Sequence, residues 1–323
     1  MNRRVLGRTG LAVSEIGFGG WAIGGSAYGN SYGPTDDAES QRAIRRAFEL
    51  GCTVFDTADV YGHGHSESLL GEVLHDVRDQ VIIATKVGGN FYNRDIHPVM
   101  RDRIAQAAGR PLEQFPDGAP LPVTHDANFT PGYLRFAVER SLERLRTSWI
   151  DLLQLHNPPL NLISSRETYA VLEQLKQEGR IRFYGVSVHP PQEGLAAITA
   201  TMPDTVQIVY NLARREPEDG FLAAAHAANV GVIAREPLAN GFLAGRYAPD
   251  STWPQGDIRA RMPRPYVAQL AALGARVREL AEKSGLSAAQ LALKFVLDRP
   301  EIGCAIVGMK TVQQVEENLN AGT

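Results

Sequence analysis

The sequence predicts an α/β fold, a (β/α)8 TIM barrel, and three observations support this prediction. Eight short runs rich in aliphatic and β-branched residues alternate with helical patterns along most of the 323 residues, which is typical of a parallel sheet. A count of eight favours a closed barrel over an open sheet. The first strand is not followed by Gly-x-Gly-x-x-Gly, the fingerprint of dinucleotide-binding open sheets. We expect residues 1–323 to form a single domain.

The chain opens with an alternating pattern that turns at Gly7-Arg8-Thr9-Gly10, so we expect an N-terminal β-hairpin and then a first barrel strand at Ile16–Gly20. Apolar runs predict the other barrel strands at Cys52–Phe55 closed by Asp56, Val81–Thr85 closed by Lys86, Ile150–Leu155 closed by His156, Ile181–Ser187, Thr205–Tyr210, Val230–Ala234 and Cys304–Val307. Helices are predicted at Asp36–Leu50, from a capping Ser66 to Val77, and at Gly132–Arg146, Glu167–Gln177, Pro217–Ala228, Pro265–Ser284, Ser287–Asp298 and Thr311–Asn320.

The regular alternation stops between Gly88 and Pro131, in a long loop that follows the third strand. Glycine, proline, asparagine and aspartate are scattered through it, and only Met100–Ala108 has helical spacing. A loop of this length in a compact domain is usually functional or disordered. Because it leaves the end of a barrel strand, we expect a lid or a wall of the substrate pocket, with a disordered insertion as the alternative.

The composition is that of an ordinary globular protein. Apolar residues make up 44% and charged residues 21% of the chain, and the net charge of -3 without a basic stripe argues against a nucleic-acid partner. No apolar run could span a bilayer, and the first six residues lack the apolar core of a signal peptide. Cys52 and Cys304 fall in predicted strands and are expected to be buried thiols. We therefore predict a cytoplasmic protein without membrane contact.

Three polar residues near strand ends form the main candidate site. Asp56 closes the second strand, Tyr61 falls in the loop beyond it, and Lys86 closes the third strand. The carboxyl ends of parallel barrel strands converge on one face, so we expect these side chains to meet there. Taken singly, they could instead be a helix cap, a packed ring and a solvated charge.

This combination suits proton transfer to a carbonyl oxygen. A free phenol has a pKa near 10, and a neighbouring lysine ammonium lowers it, while an aspartate keeps the ammonium charged. Tyr61 could then act as a general acid while hydride reaches the carbonyl carbon. His156 is followed by Asn157-Pro158-Pro159, which forces a loop and places the ring on the same face; a structural histidine is the alternative.

In this order the residues resemble the aldo-keto reductase family, of the bacterial NADP-dependent type, over essentially the whole chain. The resemblance rests on Leu6-Gly7-Arg8-Thr9-Gly10 with Val13-Ser14, Asp56-Thr57-Ala58-Asp59-Val60-Tyr61-Gly62 with Ser66-Glu67 and Leu70-Gly71, Ala84-Thr85-Lys86, and Asp151-Leu152-Leu153-Gln154-Leu155-His156. It implies a catalytic tetrad of Asp56, Tyr61, Lys86 and His156. In that scheme Tyr61 is the acid/base, Lys86 and Asp56 tune it, and His156 orients the carbonyl group or helps in proton transfer.

The resemblance also implies a nicotinamide cofactor, NADP(H) in preference to NAD(H). Ser187 and Gln207 would hold the carboxamide, a glycine-rich loop would follow the pyrophosphate, and Lys310 would supply charge for a 2′-phosphate near the start of the last helix. An ordinary helix start with a solvated lysine is the alternative for Lys310. The other implied cofactor residues are Arg235, Pro237, Leu238, Asn240, Gly241, Leu243, Gly245, Arg246, Gly308, Gln314, Glu317 and Asn318.

The chain departs from the family at three places. Val188 stands where many members carry asparagine, Arg235-Glu236 where many place an aromatic against the nicotinamide, and Gln314 where some use arginine. A guanidinium can stack on a flat ring, although a salt bridge between Arg235 and Glu236 is equally plausible. These departures leave the reaction class unchanged and weaken the preference for NADP(H).

Three aromatic residues on the loop after the first strand, Trp21, Tyr28 and Tyr32, are candidates for the wall of the substrate pocket. Surface packing is the alternative for each. Their aromatic faces and hydroxyls would suit a sugar-derived or otherwise hydroxylated carbonyl compound. The expected reaction interconverts an aldehyde or ketone and its alcohol.

Other functions fit parts of the pattern. His63-Gly64-His65 could suggest a metal site for hydrolysis, but no further cluster completes it, so no metal is expected. Lys86 could form a Schiff base in an aldolase, but a paired Asp56 would keep it protonated. A non-catalytic nucleotide-sensing regulatory subunit on the same fold is the main alternative, although a sensor has no need of the tetrad.

Overall fold

The computed structural model describes residues 1–26, 31–91, 126–254 and 256–322. Its strands are β1 (Arg3–Val5), β2 (Ala12–Ser14), β3 (Ile16–Gly19), β4 (Val54–Asp56), β5 (Ile82–Val87), β6 (Gly89–Asn90), β7 (Asp126–Ala127), β8 (Ile150–His156), β9 (Ile181–Val188), β10 (Thr205–Val209), β11 (Gly231–Arg235) and β12 (Ile302–Gly308). Strands β3, β4, β5 and β8 to β12 pair in parallel in this order and close into a barrel, because β12 pairs with β3. The predicted (β/α)8 barrel is confirmed.

Helices follow most barrel strands. They are α1 (Asp37–Glu49), α2 (His65–Leu74), α3 (Pro131–Arg144), α4 (Leu160–Ile163), α5 (Arg166–Gln177), α6 (Pro191–Ala200), α7 (Phe221–Ala227), α8 (Arg264–Lys283), α9 (Ala288–Leu297) and α10 (Val312–Leu319). Side-chain caps fix several starts: Asp36 accepts the Glu39 amide before α1, and Ser287 forms a capping box with Gln290 before α9.

The predicted N-terminal hairpin is confirmed as β1 and β2, and it closes the bottom of the barrel. Leu6 at its turn is 1% exposed and packs inside the barrel with Val54, Leu152 and Ile233. Gly231 lies directly against it, since a Cβ there would come within 2.8 Å of the Leu6 side chain. The opposite mouth, at the carboxyl ends of the strands, is the open one.

Most of the core lies between the barrel and its helices. The barrel strands are buried on both faces, as in β8, where only His156 at the end is partly exposed. Near-continuous apolar strands are expected where helices cover the outside of a parallel sheet. A smaller cluster under the loop after β11 contains Phe242 and Leu243 and packs on α8.

Some details of the sequence-based prediction are wrong. Ser66 does not cap α2, because the helix starts at His65 after Gly64 and the Ser66 hydroxyl instead donates to the Gly20 carbonyl at 2.8 Å. Cys52 precedes β4 and lies outside any strand, although both cysteines are free and buried as predicted. Helices α4 and α6 were not predicted, and α7 is shorter than expected because Gly220, with φ 97°, separates it from a preceding turn at Glu216–Glu218.

The long loop after β5 is described only at its ends. Strands β6 and β7 pair there in antiparallel fashion, and Tyr133 donates a hydrogen bond to the Gly89 carbonyl at 2.6 Å. Residues 92–125, which include Met100–Ala108, lie outside the described residues, so the prediction of a lid stays a prediction. None of the described helices is both long enough and apolar enough to cross a membrane.

Candidate functional site

Lys86 is the centre of a buried hydrogen-bonded group at the open mouth of the barrel. Its side chain is 0% exposed, and its ammonium donates to Asp56 Oδ1 at 2.5 Å, to the Thr57 carbonyl at 2.9 Å and to Tyr61 Oη at 3.2 Å. The sequence places these groups together because β4 and β5 are neighbours whose pairing ends at Asp56 and Ala84. Three of the four predicted catalytic side chains are therefore in direct contact.

The second carboxylate oxygen of Asp56 is also saturated. Oδ2 accepts the side-chain amides of Gln207 at 2.8 Å and Gln154 at 3.2 Å. Gln154 belongs to the strand motif that ends at His156, but the sequence predicted no role for it. With Lys86 on one oxygen and two amides on the other, Asp56 is held rigidly as an anion under the ammonium.

The protonation state of this group follows from burial and charge. Burial alone lowers the pKa of Lys86, but Asp56 and Tyr61 outweigh it, so the pKa is raised and the lysine stays charged. Burial raises the pKa of the Tyr61 phenol, and Lys86 offsets only part of this effect. Lys86 lowers the phenol pKa as predicted, but burial outweighs this effect, so the pKa of Tyr61 is raised overall.

The position of Tyr61 is set by close backbone packing and by stacked rings. Gly62, with φ +60°, lies so close to Gly24 that a Cβ would come within 2.0 Å of the Gly24 carbonyl oxygen. Trp21 stacks on the Tyr61 ring with centroids 5.6 Å apart, and Tyr32 stacks on Trp21 with centroids 5.7 Å apart. Trp21 and Tyr32 thus lie beside the proposed acid, whereas Tyr28 lies outside the described residues.

His156, the fourth predicted catalytic residue, ends β8 on the same face. Its ring meets Tyr61 edge-on, with centroids 5.8 Å apart and an interplanar angle of 81°. A ligand oxygen between the two rings could accept hydrogen bonds from both. This arrangement favours the functional interpretation over a purely structural histidine.

Two predicted cofactor residues on neighbouring strands have different partners. Gln207 pairs with Ser187 in the register of β10 and β9, and its amide is used by Asp56. The Ser187 hydroxyl is buried and has no hydrogen-bond partner among the described residues. A buried hydroxyl without a hydrogen-bond partner is unusual in folded proteins.

One cavity of about 360 Å³ runs from this group outward. We call the polar group at its inner end the barrel end, defined by Asp56, Tyr61, Gln207 and Arg235, which line the cavity, together with the buried Lys86 and Ser187 beside them. The outer end is the loop end, defined by Arg246, Lys310, Gln314, Glu317 and Asn318. The predicted residues that line it are Trp21, Tyr32, Asp56, Tyr61, Gln207, Arg235, Pro237, Leu238, Asn240, Gly241, Arg246, Gly308, Lys310, Gln314, Glu317 and Asn318.

Other predicted residues do not line this cavity directly. Lys86 and Ser187 are fully buried, and His156 lies beside Tyr61. Leu243 and Gly245 pack the loop after β11 against α8. Leu243 belongs to the apolar cluster on that helix, and a Cβ on Gly245 would lie 3.2 Å from the Gly274 carbonyl oxygen. These two positions shape the loop rather than the cavity surface.

At the loop end, the charged groups already have partners. Arg246 pairs with Glu317 at 2.7 Å, with 56% of the arginine side chain exposed. Lys310 donates to the Tyr32 carbonyl at 2.5 Å and to the Pro34 carbonyl at 3.3 Å, so it is not the solvated lysine of the alternative interpretation. Burial, together with Arg259, lowers its pKa although Asp257 opposes them.

Sequence reasoning missed a group of residues from the segment after this loop. Asp257 and Arg259 form a buried ion pair at 2.6 Å, and Arg259 lies 5.0 Å over the Tyr32 ring and 5.1 Å over the Tyr247 ring. Ser31 bridges to Asp257, so this segment crosses to the loop after β3. The only signal in the sequence is a cluster of aromatic and charged residues without helical spacing.

The paired histidines form no metal site in the part of the chain described. His63 is buried and lies 4.7 Å from the Phe91 ring, while the His65 ring contacts Asp37 at 2.9 Å. Among the described residues, no group of three or more His, Cys, Asp or Glu side chains could hold a metal ion.

The chain is similar in sequence to known proteins. The model of the Aldo/keto reductase family matches residues 15–323. Aldo-keto reductase YhdN of Bacillus subtilis is 32% identical over 315 residues, which cover 95% of this chain and 85% of that protein. L-galactose dehydrogenase of Arabidopsis thaliana is 30% identical over 329 residues, which cover 99% and 88%.

Solved structures share the fold. The glycerol dehydrogenase of Gluconobacter oxydans is 29% identical with a TM-score of 0.76, and the match covers 99% of this chain and 90% of that one. An aldo/keto reductase from Klebsiella pneumoniae, in complex with NADP and acetate, is 25% identical with a TM-score of 0.68 and covers 100% and 90%.

Proposed function

The chain belongs to the aldo-keto reductase family of oxidoreductases, and on this premise we propose that it transfers hydride between NADP(H) and the carbonyl carbon of an aldehyde or ketone. The observation that carries this proposal is the contact of Lys86 with both Asp56 and Tyr61 at the inner end of a cavity that extends to Lys310. A proton donor at one end and cations at the other match a reacting carbonyl and a phosphorylated cofactor.

Tyr61 is proposed as the general acid/base. Its phenol, with an ordinary pKa near 10 that burial raises further, is protonated at neutral pH, which is the form that reduction requires. As the carbonyl oxygen gains negative charge, the phenol donates its proton, and the adjacent Lys86 ammonium stabilises the phenolate that remains. Asp56 keeps that ammonium charged, and His156 donates a second hydrogen bond to the same oxygen. Oxidation of the alcohol uses the same groups in reverse.

The residues present fit a nicotinamide cofactor, which when bound supplies or accepts the hydride. The unpartnered Ser187 hydroxyl and the Gln207 amide would hold its carboxamide. Arg246 would exchange Glu317 for a phosphate, and Lys310 would exchange backbone carbonyls for a 2′-phosphate. The loop after β11 adopts positive φ at Glu236, Ala239 and Asn240, and Glu236 and Asn240 line the cavity.

NADP(H) is proposed over NAD(H) because Lys310 reaches the cavity as a cation held only by neutral carbonyls. A related structure of 25% identity contains NADP, and a relative from Schizosaccharomyces pombe of 27% identity bears NADP(+) in its name. The departure at Gln314 does not remove a cation from the site, because Lys310 and Arg246 remain. We propose cytoplasmic action as a single domain on a small carbonyl compound.

A hydroxylated, sugar-derived carbonyl compound is the proposed substrate class. Trp21 and Tyr32 line the cavity beside Tyr61, and aromatic side chains with a polar group are of the kind that contact sugars. Two relatives are named for hydroxylated compounds, L-galactose and glycerol, at 30% and 29% identity.

The test is nucleotide-dependent turnover and its loss in Tyr61→Phe. Purified protein is incubated with NADPH or NADH and a panel that includes aldoses, glyceraldehyde and simple aldehydes, and absorbance of the reduced nicotinamide is followed. We expect turnover with NADPH, reduced by about 10²- to 10⁴-fold in Tyr61→Phe with nucleotide affinity unchanged. Tyr247→Phe serves as the matched control, because it removes a hydroxyl from the same cavity away from Lys86.

Three results would argue against parts of the proposal. Equal loss in both tyrosine variants would contradict the role of Tyr61. Tight NADPH binding without turnover on any carbonyl compound would favour the nucleotide-sensing subunit. Failure to bind either nucleotide would overturn the cofactor assignment.

A further inference from the structure

Arg235 is a buried cation that forms no salt bridge with an acidic side chain among the described residues. It ends β11, is 8% exposed, and lines the cavity together with Tyr61 and Gln207. Its Nη2 donates to His189 Nδ1 at 2.9 Å and to Asn157 Oδ1 at 3.4 Å, and its Nε is buried without a hydrogen bond. The predicted alternative of a salt bridge with Glu236 is not seen, because the Glu236 carboxylate accepts from Asn240 instead.

The hydrogen-bond partners of this guanidinium are neutral. Burial and the charge of Arg235 lower the pKa of His189 to about 4, so its ring carries no charge at neutral pH. The amide of Asn157 is neutral at any pH. The positive charge of Arg235 is therefore not compensated by its hydrogen-bond partners.

The other buried cations of the described chain are all compensated. Lys86 pairs with Asp56 at 2.5 Å, Arg78 with Asp151 at 2.7 Å, and Arg259 with Asp257 at 2.6 Å. Removing a charge from water without a counter-ion is costly, so proteins seldom keep one without a use. Arg235 is the exception among the described residues, and it faces the cavity.

Its place in the barrel defines what it would meet. β9, β10 and β11 are consecutive, with Gln207 opposite Ser187 and Arg235 opposite Val209. The proposed function places the nicotinamide carboxamide at Ser187 and Gln207 and its reacting carbon toward Tyr61. The guanidinium of Arg235 then lies along the nicotinamide ring, where a flat cation can stack.

We propose that Arg235 makes this site bind NADPH more tightly than NADP⁺, and that it thereby favours reduction; the inference rests on the proposed cofactor. The two nucleotides differ in the ring, which is positive when oxidised and neutral when reduced. A fixed, uncompensated cation in a buried site repels the oxidised ring and leaves the reduced ring unaffected. Release of the oxidised product is favoured by the same repulsion.

The test is the ratio of the two dissociation constants, Kd for NADP⁺ over Kd for NADPH, measured by isothermal titration calorimetry at one fixed salt concentration. We expect a ratio of about ten or more for the unaltered protein, a fall of about tenfold in Arg235→Gln, and retention in Arg235→Lys. Arg246→Met is the matched control. It removes a cation near groups that both nucleotides share, so it should weaken both by the same factor.

Each outcome is decisive. A ratio near one in the unaltered protein, or a ratio unchanged in Arg235→Gln, would overturn the role of Arg235 and leave the proposed reaction standing. Absence of binding by both nucleotides would overturn this inference and the proposed function together. If Arg235→Gln does not fold by circular dichroism, the unaltered protein and Arg235→Lys decide, and a ratio near one in either overturns the inference.

Discussion

The two ends of the cavity differ in how their polar groups are partnered. At the barrel end, Asp56 and Lys86 are buried and fully hydrogen-bonded, while the Ser187 hydroxyl and Arg235 Nε have no partner among the described residues. At the loop end, Arg246 and Lys310 are more accessible, and each is occupied by a partner from the chain itself.

This difference bears on the free energy of ligand binding, because a ligand would add hydrogen bonds at one end and replace existing ones at the other. If the proposed cofactor binds here, groups without partners at the barrel end would gain hydrogen bonds and lose none, so that end would be organised in advance for the reacting ring. At the loop end, a phosphate must displace a carboxylate or backbone carbonyls, so the net gain is smaller and depends on salt.

The largest effect is expected from Lys86→Met. It leaves the Asp56 carboxylate buried without its cation, which should cost about 3–5 kcal/mol of unfolding free energy as well as most of the turnover. Urea denaturation followed by circular dichroism measures the change. Arg246→Met, at the exposed pair of the loop end, should cost less than about 1 kcal/mol in the same experiment.

The double variant Asp56→Asn with Lys86→Met tests whether the loss of stability comes from the unpaired Asp56 carboxylate. Because it removes both charges, it should be more stable than Lys86→Met alone. If Lys86→Met and Arg246→Met lose the same stability, the contrast between a buried and an exposed pair is wrong.

Much of the barrel end could be predicted from the sequence. Asp56, Lys86 and His156 close short apolar runs, and parallel strands bring such positions to one face whatever the rest of the chain does. The helix α6 was missed because its start, Pro190-Pro191, looks like a break, whereas proline is favoured in the first turn of a helix.

The loop end could be predicted only in part, because its contacts join distant segments. Nothing local to Tyr32 indicates that Arg259 lies over its ring or that Lys310 binds its carbonyl. The missing counter-ion of Arg235 is likewise visible only in three dimensions. Sequence identified it as a departure from the family, but the absence of an acidic partner depends on where Glu236 points.

A smaller effect is expected from Lys310→Met, on cofactor choice. Affinity for NADPH should fall by about tenfold or more while affinity for NADH stays the same, because only NADPH carries the 2′-phosphate that Lys310 would bind. Fluorescence titration with both nucleotides measures this. Arg246→Met should weaken both nucleotides equally, and an equal loss of both in Lys310→Met would contradict the assignment.

The same preference should depend on pH. Burial and Arg259 lower the pKa of Lys310, so folding disfavours its charged form. As the pH rises, the ammonium therefore loses its proton before the pH reaches the ordinary lysine pKa of about 10.4. The affinity ratio of NADPH over NADH should therefore fall as the pH rises toward that value. In Lys310→Met the ratio should be flat over the same range.

The smallest effect, and the sharpest test of the barrel end, is expected from Ser187→Ala. Removing a buried hydroxyl that has no partner should stabilise the free protein by up to about 1 kcal/mol, because an unsatisfied group costs desolvation. The same change should weaken NADPH binding by several-fold, since the carboxamide loses a hydrogen bond. Stability and affinity would then move in opposite directions.

Ser66→Ala is the matched control, because its buried hydroxyl accepts from Thr57 at 2.8 Å and donates to the Gly20 carbonyl at 2.8 Å. It should destabilise the protein by about 1–3 kcal/mol, as expected when partners are left unsatisfied. Denaturation and NADPH titration of both variants give the comparison. A loss of stability in Ser187→Ala would show that its hydroxyl already has a partner, and the barrel end would then be no more open to a ligand than the loop end.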